Sequence, residues 1–168
     1  MKQSCAFRIW GIRAGIGGEA HSLFLKMSVI ALLDAGLGDL LKFDATRESF
    51  YSSYRNLHPD ETRTGTAGIG GKFYRFIHEV AVGDFIVYPA IVDKQVYVGV
   101  VTGEYIFVES SKFKHQRAVN WTHSIPKHEF SKMACQELGA ARTFFEFKRK
   151  SQELFEKMKD DSFLLNVQ

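Results

Sequence analysis

The chain has 168 residues, 45% apolar and 24% charged, with a formal charge of +3 and a pI near 8.8. That length suits one compact domain, or one domain with a helical tail, and the near-neutral balance permits a nucleic-acid partner without requiring one. No apolar run reaches the roughly 18 residues of a membrane span, and Cys5 and Cys135 match no metal spacing, which together predict a cytoplasmic protein with reduced, structural thiols and no membrane partner.

Ala6 to Arg13 alternates and predicts a first strand, and Arg8 and Arg13 break any signal-peptide core there. The glycine-rich Ala14-Gly15-Ile16-Gly17-Gly18 follows. It lacks both G-x-G-x-x-G and a Gly-Lys-Ser/Thr ending, so it is neither a dinucleotide nor a P-loop fingerprint. It reads either as a flexible loop or as backbone N–H groups open to a phosphate. His21 to Lys26 predicts a short helix, and Met27 to Leu33 a buried strand. The turn from Asp34 to Leu40 puts a carboxylate, Asp34, at that strand's end, while Asp39 reads as a turn former or N-cap. Thr46 to Leu57 predicts a helix with Thr46 as N-cap. Asn56 to Gly71 reads as polar, turn-rich and exposed, and Phe73, Phe76, Ile77 and Val80 have the spacing of a helix ending near Ala81.

Three strands are predicted between Gly83 and Trp121, the stretch around which the chain is organised. Gly83-Asp84 turns into the first, and Pro89 ends it. Gly99 and Gly103 interrupt the second, Gln95 to Tyr105, as expected where a sheet bends or another backbone comes close. The third, His115 to Trp121, alternates Arg117, Val119 and Trp121 against Ala118 and Asn120. Lys112, Lys114, His115 and Arg117 cluster at its start. Ser124 to Lys127 is expected to break the chain, followed by a helix over His128 to Gln136 and a closing strand over Thr143 to Phe147. Lys148 to Lys159 predicts a charged amphipathic helix, and Asp160 to Gln168 a trailing end or linker.

Catalytic signatures are missing. There is no G-x-S-x-G elbow, nothing marks Cys135 as activated, and the six histidines form neither H-x-x-x-H nor H-E-x-x-H pairs. The expectation is therefore a binding domain, without enzyme activity, metal or cofactor. Trp10, Phe85, Tyr88, Tyr97, Tyr105, Phe107 and Trp121 all fall on predicted strands or strand ends. Such rings either fill the core or stack on bases, at about 1–3 kcal/mol per base. Trp10 and Trp121, beside Gly11 and Asn120, read as the ligand-facing ones.

Several short motifs recur in a fixed order. They are Arg13-Ala14-Gly15 with Gly17-Gly18, Leu37-Gly38-Asp39-Leu40, Phe73-Tyr74-Arg75-Phe76 with His78-Glu79, and Val82-Gly83-Asp84. Val98-Gly99-Val100-Val101-Thr102-Gly103-Glu104-Tyr105, His115-x-Arg117-x-Val119-x-Trp121 and Leu138-Gly139-Ala140 follow. This order, over roughly residues 7 to 148, resembles the N-terminal module of Mrr-type restriction proteins, which is similar to the EVE and YTH domains of the PUA-like superfold. The resemblance implies an α+β fold, a PUA-like, strongly curved β-barrel flanked by helices, over residues 1–148. Residues 149–168 would then be a charged C-terminal helix or a linker to an effector. It also implies a sensor that flips a modified base into an aromatic pocket, as the specificity module of a restriction or antiphage defence protein. The partners would be modified DNA, with RNA as the alternative, and an effector nuclease in cis or trans. A small-molecule or nucleotide sensor using the same pocket is the second reading.

On that resemblance the base pocket comprises Trp10, Asp34, Tyr88, Tyr105 and Trp121, and the nucleic-acid backbone meets Arg13, Gly17, Gly18, Lys112, Lys114, His115 and Arg117. One departure stands out. Many relatives carry Gly-Trp where this chain has Leu33-Asp34. An ionised Asp34 accepts hydrogen bonds only, so it would receive an exocyclic amine of a base, or else cap the turn that follows it.

Overall fold

Alternating apolar residues send their side chains to opposite faces of a strand, and here both faces are covered. The structure is a computed structural model that describes residues 6–140 and 142–165; Cys5 and the chain end beyond Leu165 lie outside them. Its centre is a strongly curled, mixed, seven-stranded half-barrel flanked by helices. The strands are β1 (Ile9–Ile12), β2 (Val29–Leu32), β3 (Phe85–Pro89), β4 (Gln95–Val101), β5 (Ile106–Phe107), β6 (His115–Pro126) and β7 (Phe144–Glu146). Their order is β2-β6-β4-β3-β1-β7, with β5 added against β6. β1 runs parallel to β3, and the other pairs are antiparallel.

β6 carries the curl. Its first residues pair with β2 and β5, and its later ones with β4. The register slips between Val98 and Gly99, leaving Thr122 as the extra residue on β6. A Cβ on Gly99 would sit 2.6 Å from Val119 Cγ1 and 2.7 Å from the Asn120 carbonyl oxygen. Only glycine fits that approach, as the sequence led one to expect.

Among the described residues the α-helices are α1 (His21–Met27), α2 (Arg47–Leu57), α3 (Arg63–Tyr74), α4 (Lys132–Leu138) and α5 (Ser151–Met158). Trp10, Phe24, Ile30, Phe50, Phe73, Phe76 and Trp121 share one core cluster on the α1–α3 side. Ile9, Val87, Val98, Phe130, Leu138, Phe145 and Leu154 share another, with α4 and α5. Neighbouring Ile9 and Trp10 thus point to different cores.

Four expectations are corrected. Residues 63–74 of the segment read as exposed and turn-rich form α3. Thr62 Oγ1 caps it by accepting from Gly65 N–H at 3.0 Å. Its glycines admit the neighbouring helix, since a Cβ on Gly70 would lie 2.6 Å from Tyr51 Cδ1. α3 then runs straight into one π-helical turn, Arg75–Glu79. β4 ends at Val101 rather than Tyr105. β6 continues through Pro126, where a break was expected, because Gln95 and Val96 of β4 pair with Pro126 and Ile125. The His128–Gln136 segment is a 3₁₀ turn, Lys127–Glu129, followed by α4, with Ser131 Oγ capping at Ala134 N–H. Thr46 does cap α2, and Asp39 caps a 3₁₀ turn at Leu40–Lys42.

Within the C-terminal segment, α5 docks against the sheet. Leu154 is fully buried, and His123 Nε2 lies 3.1 Å from the Met158 carbonyl. Glu153 accepts from Ser131 N–H and Oγ–H at 2.6 and 2.7 Å.

Candidate functional site

Strand β2 ends at Leu32, and the next turn carries Asp34. Asp34 Oδ1 accepts from Leu37 N–H at 3.1 Å and Gly38 N–H at 3.4 Å, which fixes the turn. The same oxygen lies 3.1 Å from His115 Nε2, and His115 Nδ1 lies 2.9 Å from the Tyr105 hydroxyl. Tyr105 Oη also accepts from Leu40 N–H at 3.1 Å. Burial holds His115 below the ordinary imidazole range, although Asp34 opposes this. A neutral ring settles the directions: Nε2–H donates to Asp34, and Tyr105 O–H donates to Nδ1. Burial pushes the Tyr105 phenol up to about 12, so it stays protonated as that donor.

This chain of groups has a pH signature. A folded-state pKa below the unfolded one means that the unfolded chain binds more protons, so stability is full above about pH 6.5 and falls as pH drops through the folded value. Protonation would give Nδ1 a hydrogen aimed at a hydroxyl that already accepts from Leu40. The melting temperature is therefore expected to fall between pH 7.5 and 5.5, with a shallower slope in His115→Gln. His78, also lowered by burial, adds to the slope of both proteins. Identical slopes would show that His115 does not titrate in this window.

The elements that hold the relay also wall a cleft of about 440 Å³. Leu33 precedes Asp34, Phe113 lies two residues before His115, and Lys72 precedes Phe73, whose ring packs on His115 at 5.1 Å between centroids. Ala31, Leu33 and Phe113 supply apolar surface, while Arg13, Lys72 and Lys112 supply charge from three separate segments. Glu19 is the carboxylate among the lining residues. Burial holds the Lys72 ammonium below its ordinary value, with Arg75 adding repulsion, and its Nζ sits 4.7 Å from the Phe73 ring centre. Among the described residues no carboxylate lies within salt-bridge distance of Lys72.

The glycine loop divides this cleft from a second of about 370 Å³, which Arg13, Lys94 and Lys127 line. The loop already holds an anion, its own Glu19. Gly17 N–H donates to Glu19 Oε2 at 3.1 Å, and a Cβ on Gly15 would lie 2.0 Å from that oxygen. Hydrogen bonds from Glu19's own N–H and from Gly17 hold the carboxyl below its usual range.

The residues singled out by sequence divide accordingly. Arg13 and Lys112 line the cleft, and Gly18 lines the second one. Gly17 is committed to Glu19. Lys114 is half-buried and pairs with Glu109 at 3.2 Å. Asp34 does cap its turn, and no described residue hydrogen-bonds to its Oδ2. Tyr105 belongs to the relay, and Tyr88, almost wholly buried, contacts His21 Nδ1 through its hydroxyl at 2.9 Å.

Four placements correct the expectation. Trp10 has no exposed surface: it stacks on Phe144 and donates its indole N–H to Asp84 at 2.9 Å. Trp121 donates to the Phe24 carbonyl at 2.8 Å within the same core. Neither indole offers a free face. His115 and Arg117 are equally inaccessible, so neither reaches a phosphate from this position. Arg117 instead serves backbone carbonyls, donating from Nη1 to Val80 at 2.6 Å and Phe76 at 3.2 Å, and from Nε to Gly103 at 3.1 Å. Lys72, Phe113 and Leu33 of the cleft went unrecognised. A lone phenylalanine between Lys112 and Lys114 was the available signal for one of them.

Among the described residues no helix is long and apolar enough to cross a membrane, and no three His, Cys, Asp or Glu side chains converge as for a metal ion. Fold and cleft define an α+β domain on a curled mixed sheet, with a cationic cleft beside a glycine loop. The chain belongs to a family known as a domain of unknown function (DUF8426), whose model matches residues 21–148. The match starts at the first residue of α1, so β1 and the glycine loop precede it. No curated protein matches the chain.

Proposed function

We propose that this is a nucleic-acid-binding domain of PUA-like type that takes a modified base into the 440 Å³ cleft, as the specificity part of a defence system. The observation that carries the reading is the convergence of Arg13, Lys72 and Lys112 around the apolar and aromatic surface of Ala31, Leu33 and Phe113. A base needs a flat apolar contact and its flanking phosphates need cations, and this cleft combines the two. Phe113 is nearly as buried as Trp121 and adds only a narrow strip to this wall, so the exposed Leu33 and Ile16 supply most of the apolar surface a base would meet. Asp34 follows the wall residue Leu33 without lining the cleft, and in this reading its Oδ2, to which no described residue hydrogen-bonds, is the acceptor assigned to an exocyclic amine.

A binding panel at fixed, stated salt tests this. Duplex and single-stranded oligonucleotides would carry no modification, N6-methyladenine, N4-methylcytosine, 5-methylcytosine or 5-hydroxymethylcytosine. One modified oligonucleotide is expected to bind selectively. Replacing Lys72 and Lys112 together by Ala should weaken it by about two phosphate contacts, lowering the slope of log K against log salt by about 1.8. Salt-independent binding would overturn the phosphate contacts. A free modified nucleoside binding as tightly as the oligonucleotide would transfer the cleft to a small-molecule sensor.

A further inference from the structure

A second concentration of cations lies where α2 packs against α3. Arg47 and Tyr51 are one turn apart on α2, so their side chains share a face. Arg75 lies one turn beyond Gly71 at the end of α3. The three meet over Gly71. A Cβ built there would lie 3.2 Å from Arg75 Nη1, 3.7 Å from Arg47 Nη1 and 3.7 Å from Tyr51 Oη. Two guanidinium groups and a phenol hydroxyl therefore cover one helix position that carries no side chain and is itself buried.

The charge there is only partly neutralised. Glu79 pairs with Arg47 and lies 3.6 Å from Arg8, so one carboxylate serves two arginines. Among the described residues no carboxylate lies within salt-bridge distance of Arg75. Burial holds the Arg75 guanidinium below its ordinary value, with Arg47 and Arg142 adding repulsion and Glu79 opposing it. Juxtaposed cations without a counter-charge are unfavourable unless an anion joins them. Planar guanidinium forks match phosphate oxygens in pairs, and a phenol supplies a further donor. Lys72, the residue after Gly71, lines the cleft, and Arg75 is near enough to repel its ammonium.

We propose that Arg47, Tyr51 and Arg75 form a phosphate-holding site over Gly71, taking a phosphate ester next to the group bound in the cleft. The site itself stands on its own geometry; only the source of the phosphate, nucleic-acid backbone or free nucleotide, rests on the function proposed above. Gly71 belongs to the design because any side chain there would crowd the donors.

The test titrates the full chain with inorganic phosphate, followed by ³¹P and arginine Nε–Hε NMR. Binding with a dissociation constant of about 1–10 mM is expected. Arg75→Met and Arg47→Met should each weaken it at least about tenfold. Gly71→Ala is the variant that guards against mere unfolding. Alanine is the better helix former, and it would meet only the mobile tip of Arg75 at 3.2 Å, so the melting temperature should not fall while phosphate affinity drops several-fold. Wild-type affinity in both arginine variants, or no phosphate binding by the wild type, overturns the site. A second arm uses a single-stranded oligonucleotide and a nucleoside monophosphate. If Arg75→Met weakens oligonucleotide binding and lowers its salt slope by about 0.7, the phosphate belongs to nucleic acid. If the monophosphate binds through Arg75 and the oligonucleotide does not bind, the site stands and the nucleic-acid reading falls.

Discussion

Arg117→Met is expected to destabilise the domain by about 3–5 kcal/mol, a large share of the whole stability of a chain this size. The reason lies in the π-helical turn at the end of α3. In a π turn each carbonyl waits for the N–H five residues on. Arg75 finds its partner, since Val80 N–H reaches its carbonyl at 3.0 Å. Phe76 does not, because Ala81 N–H is taken by Asp84 Oδ2 at 2.9 Å. Arg117 fills the vacancy from β6, and also holds the carbonyls of Val80 and Gly103. Methionine would fill much of the volume and leave three carbonyls without that donor, at about 1–3 kcal/mol for each group that stays buried and unpaired. Burial holds the guanidinium below its ordinary value, partly offset by Glu104 and Asp84. Arg117 Nη2 has no hydrogen-bond partner and lies 3.6 Å from Glu104 Oε2, an ion-pair distance only. Arg117→Lys should fall between the two, because a single ammonium cannot serve carbonyls on both sides of a fork. Urea denaturation gives the answer: a loss below about 1 kcal/mol in Arg117→Met would mean that water replaces the guanidinium, and that the π turn stands without it.

Arg117 also shows what the sequence could and could not disclose. The alternation from His115 to Trp121 correctly put Arg117, Val119 and Trp121 on one face of a strand. Period two says which residues share a face, not whether that face meets water or a core. Two polar side chains among large apolar ones suggested a ligand, whereas folding uses Arg117 to satisfy carbonyls around the π turn and His115 to link the Asp34 carboxylate to the Tyr105 hydroxyl. The glycines erred in the other direction. Gly65, Gly68, Gly70 and Gly71 read as turn residues, yet they lie within α3, where at Gly70 and Gly71 lost helix propensity is set against the close approach of Tyr51. No local pattern carries that information, because the partner helix ends several residues upstream of α3. Where a signal was local, as with the Thr46 cap or the tight crossing at Gly99, the sequence disclosed it.

The candidate cleft illustrates the same limit. Arg13 and Lys112 were found because cations beside a glycine loop and a strand entry are conspicuous. Lys72 was hidden inside what read as a helix, and its position against the cleft depends on how α3 meets β6 through Phe73 and His115. The glycine loop read either as a flexible loop or as one open to a phosphate, and neither reading disclosed that Glu19, two residues from Gly17, occupies it. A ligand phosphate approaching this loop must displace that carboxylate or settle on the lysines beside it. This favours Lys72 and Lys112 over the loop backbone as the groups that meet the ligand.

Asp84 lies under the same end of the sheet and should be almost as sensitive as Arg117. It follows Gly83, whose φ of +97° is the left-handed conformation that glycine adopts at little cost. That turn aims the carboxylate inward. Oδ2 accepts from Trp10 Nε1–H and from Ala81 N–H, each at 2.9 Å, and Oδ1 accepts from Arg8 N–H at 3.2 Å. Asp84 thereby joins β1, the end of the π turn and the start of β3. It also keeps Ala81 N–H away from Phe76, which is what leaves that carbonyl to Arg117. Asp84→Ala would strand up to three donors and is expected to cost about 3 kcal/mol. Asp84→Asn should be milder, about 1–2 kcal/mol: the amide oxygen can serve Trp10 and Ala81, but the amide nitrogen then faces the Arg8 N–H, donor against donor. The two losses should not add to that of Arg117→Met, because all three variants disturb the same turn. Urea denaturation of the single and double variants, followed by near-UV circular dichroism of the indoles, measures this coupling. Strict additivity would separate the Asp84 and Arg117 networks and leave the π turn to be held by each alone.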